Sequence, residues 1–541
     1  MSNLKNADLN LLPLGLVEFS NIRDSDMIYV DKTNLIYKIA SQRSPIFFSR
    51  PRRFGKSLLI NTLACLFGNG IDYFRGLDIE KKWNDKTYQV IHLDFSSMSA
   101  NNSFNLKKSL GDTILEEFNL RGIVSQYDEG GLRDPDRILN QIAKKIQNNS
   151  TVLLIDEYDA PLTHNLDNLD ELNNIKKVLN NFYATVKQYT DKFRLIFITG
   201  VTRASHVSIF SAFNNLQDIS LKEEFNSLLG FTQNDLEQYF DPYIENASQV
   251  MNLKKEDVYE RLKQYYDGFQ FSILSNQTLY NPWSILNFLN SPQDGFENYW
   301  FSSSGSSTII MKYLKNSNSL KYFNYQDTEI CISLDKLKDR YEISNIPKDI
   351  LLFQTGYLTL RKKNSQSAKL IFPNTEVEDS IFKLYLLAKN LELSVENYCE
   401  INKFIRNIDD KNIFNIIDTF NAILNYCISS DCNIFNDERS VRDIIYAAIP
   451  QSIDVQKIKE HVTVKGRSDL ELITRNTHMV IEFKRTKPDR NAASSLKEAI
   501  DQIKNKNYGI SPFIRQQLYR VAMVISTEDK NILHDYCQEV I

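Results

Sequence analysis

Through the first 230 residues, short apolar runs alternate with longer stretches of helical periodicity. The runs at 46–49, 90–95, 151–156 and 195–199 have strand length, and strands separated by helices predict a parallel α/β sheet. From about 230 to 430 the pattern turns helix-like, broken by polar clusters at 316–319 and 362–367, which predicts a helical middle region. Beyond a break at Ser429, Ser430 and Asp431, the order changes again. A helix over 437–448, strands at 468–473 and 479–484, a helix over 491–506 and a last apolar strand at 520–526 predict a second, compact α/β domain. The expected division is 11–290, 291–434 and 435–541.

At 541 residues the chain needs two or three separate cores, and 42% hydrophobic residues are enough to form them. A formal net charge of -4 gives no basic field over the whole protein, so a nucleic-acid partner would need a local patch. The cysteines Cys65, Cys331, Cys399, Cys427, Cys432 and Cys537 are scattered without zinc-site spacing and are expected to be reduced thiols. The start carries no signal-peptide pattern and no stretch approaches a membrane span, so a cytoplasmic protein without membrane partners is expected. High Asn and Lys usage suggests an AT-rich, bacterial genome.

The loop Arg50-Pro51-Arg52-Arg53-Phe54-Gly55-Lys56-Ser57 follows the strand at 46–49 and precedes a helix-like run, the context a P-loop requires. Its backbone N–H groups and the helix N-terminus would converge on phosphate oxygens, with Lys56 on the terminal phosphates and Ser57 on Mg²⁺. Arg53, Phe54, Gly55 and Leu58 complete the expected ATP-binding set, and Gly55 permits close backbone approach. Arg50 stands where G-x-x-x-x-G-K-[ST] has its first Gly. The strand at 151–156 then ends in adjacent carboxylates: Asp156 is expected to hold Mg²⁺ and Glu157 to polarise the attacking water. Either motif alone suits a strand ending in a charged turn, and it is their order and spacing that point to nucleotide chemistry. Thr199, Thr202 and Arg203, where the fourth strand ends, are candidates for sensing the γ-phosphate, Arg203 also as a finger toward a neighbour in a homo-oligomer.

In the last domain, Gly466-Arg467-Ser468-Asp469 and Glu482-Phe483-Lys484 lie on successive strands, and alternation puts Glu482 and Lys484 on one face with Ile481 and Phe483 on the other. Asp469 and Glu482 would bind Mg²⁺ and Lys484 would orient a water for phosphodiester cleavage. A solvated face of an antiparallel pair would carry the same spelling, but here the charges interrupt an apolar strand. The following helix is expected to bury Ala492, Ala493, Leu496, Ala499, Ile500 and Ile503. Glu438 and Glu460 are further acidic candidates, Glu471 competes with Asp469 for the strand face, and His461 and His478 receive no role.

The chain resembles bacterial AAA-ATPase-like proteins whose C-terminal domain belongs to the PD-(D/E)XK nuclease superfamily. The resemblance rests on Tyr29-Val30-Asp31-Lys32-Thr33, the 50–57 loop, the segment 154–161, Gly200-Val201-Thr202-Arg203, Gly230-Phe231-Thr232, Tyr266-Asp267-Gly268 and Tyr280-Asn281-Pro282-Trp283. Toward the C-terminus it rests on 466–469, 482–484 and Gln502 to Tyr508, with Ser468 at the position of the superfamily's Pro. It implies a P-loop NTPase sheet, a helical middle and a restriction-endonuclease-like α/β domain, and Arg at position 50 is usual in such proteins. The resulting expectation is an ATP-hydrolysing module coupled to a Mg²⁺-dependent nuclease acting on nucleic acid, DNA favoured. The alternative is an ATP-dependent regulatory switch whose C-terminal domain binds nucleic acid or protein without cutting.

Overall fold

A computed structural model describes residues 11–123, 134–203, 215–302, 310–311, 331–388 apart from 363 and 365, parts of 416–424, 438–449, 456–459, 462–463, 466–486 apart from 475, 491–506, 508, 516–526 and 531–540. The cluster at 316–319, the break at 429–431, Cys399, Cys427, Cys432, Glu460 and His461 lie outside the described residues. The chain forms two compact units, one comprising Met1–Asn290, Tyr299–Ile309 and Tyr325–Val377, the other Ser291–Asn298, Ile310–Asn324 and Glu378–Ile541.

In the first unit, β1 (Ile46–Ser49), β2 (Gln89–Asp94), β3 (Thr151–Asp156), β4 (Phe193–Gly200) and β5 (Gln217–Asp218) form a parallel sheet in the order β2-β3-β4-β1-β5. β1, β3 and β4 are buried along their whole length because both faces of the sheet are covered. Leu153 and Ile155 pack toward the helices Ser103–Asn119, Pro135–Ala143 and Leu169–Gln188, whereas Val152 and Leu154 join Leu59, Leu63 and Leu66 of the helix Lys56–Asn69. Because β1, β3 and β4 run parallel, their C-terminal ends lie on one edge, where crevices in open α/β sheets form.

In the middle of the chain the described residues are mostly helical but also include strands. β6 (Cys331–Ser333), β7 (Thr359–Lys362) and β8 (Ser367–Ile371) form an antiparallel sheet in the order β6-β8-β7. The polar cluster at 362–367, expected to separate helices, falls instead where β7 ends at Lys362 and β8 begins at Ser367, and β8 buries every second residue.

The second unit holds a mixed sheet, β15-β14-β13-β12-β9, built from β9 (Gln456–Lys459), β12 (Leu470–Ile473), β13 (Thr477–Arg485), β14 (Gln517–Ser526) and β15 (Asn531–Val540). A short hairpin of β10 (Val462–Thr463) and β11 (Gly466–Arg467) precedes β12. Only β13 and β14 run parallel, because the helix Ala492–Lys506 crosses over between them. Ile481 and Phe483 pack with Ile444 and Ile445 of the helix Glu438–Ala448, while Val480 faces Ala499 and Ile503. On that second helix Ala493 is exposed, against expectation, and Ser495 is buried, its Oγ donating to the Arg485 carbonyl at 3.2 Å.

Candidate active sites

At the sheet edge of the first unit, the 50–57 loop turns through two left-handed residues, Arg53 with φ 66° and Gly55 with φ 97°, before the helix Lys56–Asn69 begins. Lys56 is buried, and its Nζ donates to the carbonyls of Arg50 and Pro51 at 3.1 and 3.0 Å. Burial lowers its pKa, opposed by the carboxylates of Glu157 and Asp156. Ser57 Oγ donates to Asp156 Oδ2 at 2.6 Å, and Thr199 Oγ1 donates to Asp156 Oδ1. The strand end thus joins the loop, as the motif spacing predicts.

Glu157 sits at φ 48°, which turns it away from the strand and into the same cavity as Lys56 and Ser57. Burial raises its carboxyl pKa, while Lys56 and Arg52 hold it down. The cavity, about 470 Å³, continues from the loop between apolar walls that include Ile28, Val30, Leu58 and Leu228. Phe54 is anchored edge-on against Phe269 and Phe271, and the Arg53 guanidinium lies 4.4 Å from the centroid of the Trp283 ring.

Arg50 has a different task from a phosphate-loop glycine. Only 2% exposed, it donates from Nη1 to the carbonyls of Ser49 and Ser220 and from Nη2 to that of Phe225, at 2.7–2.9 Å. Its guanidinium lies between the rings of Phe48 and Phe271, and burial lowers its pKa to about 9. Arg203 is likewise committed: it pairs with Asp218 at 2.7 Å and donates to the carbonyl of Leu337. Thr202 bonds Asp159 through both its N–H and its hydroxyl at 2.7 Å. Of the three candidate sensors, Thr199 is the one that touches Asp156.

Other motif blocks brace this cleft. Asp31 accepts from Thr33 and from the Asp78 N–H, and Lys32 pairs with Asp235 at 2.6 Å. Thr232 and Asp235 form a capping box on the helix Gln233–Tyr239. Gly268, at φ 103°, passes so close to Pro373 that an added Cβ would lie 2.0 Å from that residue's carbonyl oxygen.

In the second unit β12 and β13 pair antiparallel with Leu470 opposite Ile481, and one further step of that register brings Asp469 opposite Glu482. Asp469 Oδ2 accepts the Phe483 N–H at 2.8 Å, and Lys484 Nζ donates to Glu482 Oε1 at 3.0 Å. Glu438 joins them from its helix, accepting the Arg485 N–H at 2.6 Å. Burial, reinforced by Asp469, pushes the Glu482 carboxyl up to about 8, and burial also raises Asp469. Lys484 is held above its ordinary value despite burial, because Glu482 and Asp469 face it. Arg442, unnamed by any motif, brings Nη1 to 4.0 Å from Asp469 Oδ1 and pairs with Asp443. Glu471 lies elsewhere, bonded to Ser468 at 2.7 Å and to His478 at 2.8 Å in the interior.

Two family models match the chain. Residues 13–210 match one described as a predicted AAA-ATPase, and residues 436–535 match that of the PD-(D/E)XK nuclease superfamily. The chain pairs an AAA-ATPase-like domain with a PD-(D/E)XK nuclease superfamily domain. It is also similar, at 29% identity over 382 residues and 70% of each chain, to an uncharacterized protein in the vnfD 5' region of Azotobacter chroococcum mcd 1. The AAA-ATPase-like match stops at 210, so Gly230, Phe231 and Trp283, which line the cavity, lie beyond it. Among the described residues no helix is long and apolar enough to cross a membrane.

Both sites suit a hard divalent cation. The nuclease-superfamily site offers carboxylate oxygens, and Glu482 Oε2 is buried without a hydrogen-bond partner among the described residues, an arrangement that a cation would satisfy. In the AAA-ATPase-like site, Ser57 Oγ and Asp156 Oδ2 already converge.

Proposed function

We propose that the first unit binds and hydrolyses ATP with Mg²⁺ and that the second cleaves phosphodiester bonds in nucleic acid, DNA favoured, with the nucleotide state controlling cleavage. The observation that supports it is that each half assembles a full acid and base set around its own site: Lys56, Ser57, Asp156 and Glu157 in one, Asp469, Glu482 and Lys484 in the other. In the first, the loop N–H groups and Lys56 hold the phosphates, and Lys56 exchanges the carbonyls of Arg50 and Pro51 for phosphate oxygens when ATP enters. Glu157, turned into the cavity, takes a proton from the attacking water.

In the second, Asp469 and Glu482 would hold Mg²⁺ with Glu438 beside them, and Lys484 orients a water toward the phosphorus. Bound Mg²⁺ supplies charge neutralisation on the phosphate oxygens and acidifies water. The test compares plasmid and single-stranded DNA incubated with Mg²⁺, with and without ATP, for wild type, Lys56→Ala and Glu482→Ala. Cleavage lost in Glu482→Ala and altered by ATP only when Lys56 is intact supports the reading. ATP turnover without cutting under any condition refutes the nuclease half and leaves a nucleotide-driven switch.

A further inference from the structure

The loop at 50–57 contains three arginines, and the structure gives each a different surrounding. Arg50 is spent on carbonyls and rings inside the fold, and Arg53 lies against Trp283. Arg52 lines the cavity together with Lys56, Ser57 and Glu157. Among the described residues its guanidinium has no hydrogen-bond or ion-pair partner. Arg203, the other candidate for the γ-phosphate, is engaged by Asp218 and the Leu337 carbonyl.

We propose that Arg52 supplies, from within the same chain, the guanidinium that contacts the γ-phosphate as ATP is hydrolysed, so that the site does not depend on an arginine from a neighbouring copy. This rests on the ATPase reading above. An arginine beside Lys56 is electrostatically costly, since like charges repel, and the Arg52 charge indeed weighs against that of Lys56. A polyanion between them reverses the sign of that interaction. Glu157 shares the cavity and is held down by the charges of both Lys56 and Arg52, so the guanidinium, the lysine and the base act on one cleft.

In the reaction the water oxygen forms a bond to the γ-phosphorus while the bond from that phosphorus to the β–γ bridging oxygen breaks. The bonding electron pair stays on ADP, and the water proton passes to the Glu157 carboxylate. Charge spreads over the equatorial γ-oxygens on the way, and a bidentate guanidinium stabilises it better there than in bound ATP. Arg52 is therefore a catalytic residue in this assignment, acting on turnover more than on affinity.

The experiment measures ATP binding with a fluorescent analogue and steady-state hydrolysis with the full chain, for wild type, Arg52→Lys and Arg52→Ala, across a dilution series of protein. Expected are a kcat lower by roughly 10²–10³-fold in Arg52→Ala, a smaller loss of affinity, partial activity in Arg52→Lys and recovery of Arg52→Ala by added guanidinium ion. Wild-type activity per chain should not change with dilution. Arg52→Ala turning over like wild type, or activity per chain rising with protein concentration, overturns the assignment while the ATPase reading stands. Wild type that binds ATP without turnover overturns both.

Discussion

Changing Arg50 to Gly would restore the usual P-loop spelling, G-x-x-x-x-G-K-S, and by motif logic should be harmless or beneficial. The structure predicts the opposite. Removing the guanidinium leaves the carbonyls of Ser49, Ser220 and Phe225 without that donor and opens a space between Phe48 and Phe271. Unsatisfied buried carbonyls cost about 1–3 kcal/mol each. Part of this is recovered as water enters and as the burial cost of the guanidinium disappears, and a glycine adds ~1 kcal/mol of backbone entropy. A net loss of about 3 kcal/mol is expected, comparable to a large core truncation. Urea denaturation followed by tryptophan fluorescence should show a lower midpoint for Arg50→Gly, and ATP affinity should fall because the segment at 220–226 no longer anchors the loop. Equal midpoints for Arg50→Gly and wild type would refute the reasoning and return position 50 to phosphate binding.

Three further outcomes are expected. Glu482 has a folded pKa of about 8 against an ordinary 4.5, so between those values the metal-free folded state holds a proton that the unfolded state has released, and stability falls as pH rises through that window. Denaturation in EDTA at pH 5 and pH 8 should show a loss of a few kcal/mol, on the order of the shift, that Glu482→Gln reduces while abolishing cleavage; an unchanged slope in the variant would count against it. Gly268→Ala should destabilise the first unit by roughly 2–3 kcal/mol or fail to fold, since it combines a left-handed φ with a Cβ at 2.0 Å from a carbonyl oxygen, and thermal unfolding reads this directly. Glu157→Gln should keep ATP affinity and lose roughly 10²–10⁴-fold in hydrolysis; retention of turnover would move the base elsewhere.

Much of the sheet was legible because buried parallel strands are continuous apolar runs: β1 and β3 fall at the expected residues, and β2 and β4 within a few positions. β5 was not, being two residues long, and β9 and β15 carry polar residues suited to sheet edges rather than apolar runs. β8 alternates in burial beside a polar stretch, a pattern that a helix-period reading interrupts rather than recognises. The meeting of Ser57 with Asp156 was legible from motif order, because strand ends in a parallel sheet share an edge. The surroundings of Arg203 were not: its carbonyl partner, Leu337, lies 134 residues further along the chain. Nor did any motif separate the roles of Arg50, Arg52 and Arg53, since three identical side chains in four positions differ only in which way the loop turns them.

The turn that follows β3 fastens its surroundings in three directions. Its Asp156 carbonyl accepts from Phe95, its Asp156 carboxylate reaches Ser57 and Thr199, and two residues on Tyr158 and Asp159 hold Thr202 from its carbonyl, N–H and hydroxyl. The ring of Tyr158 lies where a side chain at Gly200 would have to go, 2.5 Å from such a Cβ. In evolutionary terms these positions are not independent. Lineages that lose the hydroxyl at 202 leave the carboxylate at 159 with its backbone N–H partners alone, and any side chain gained at 200 demands a smaller residue at 158, so substitutions at 200 and 158 should arrive in pairs.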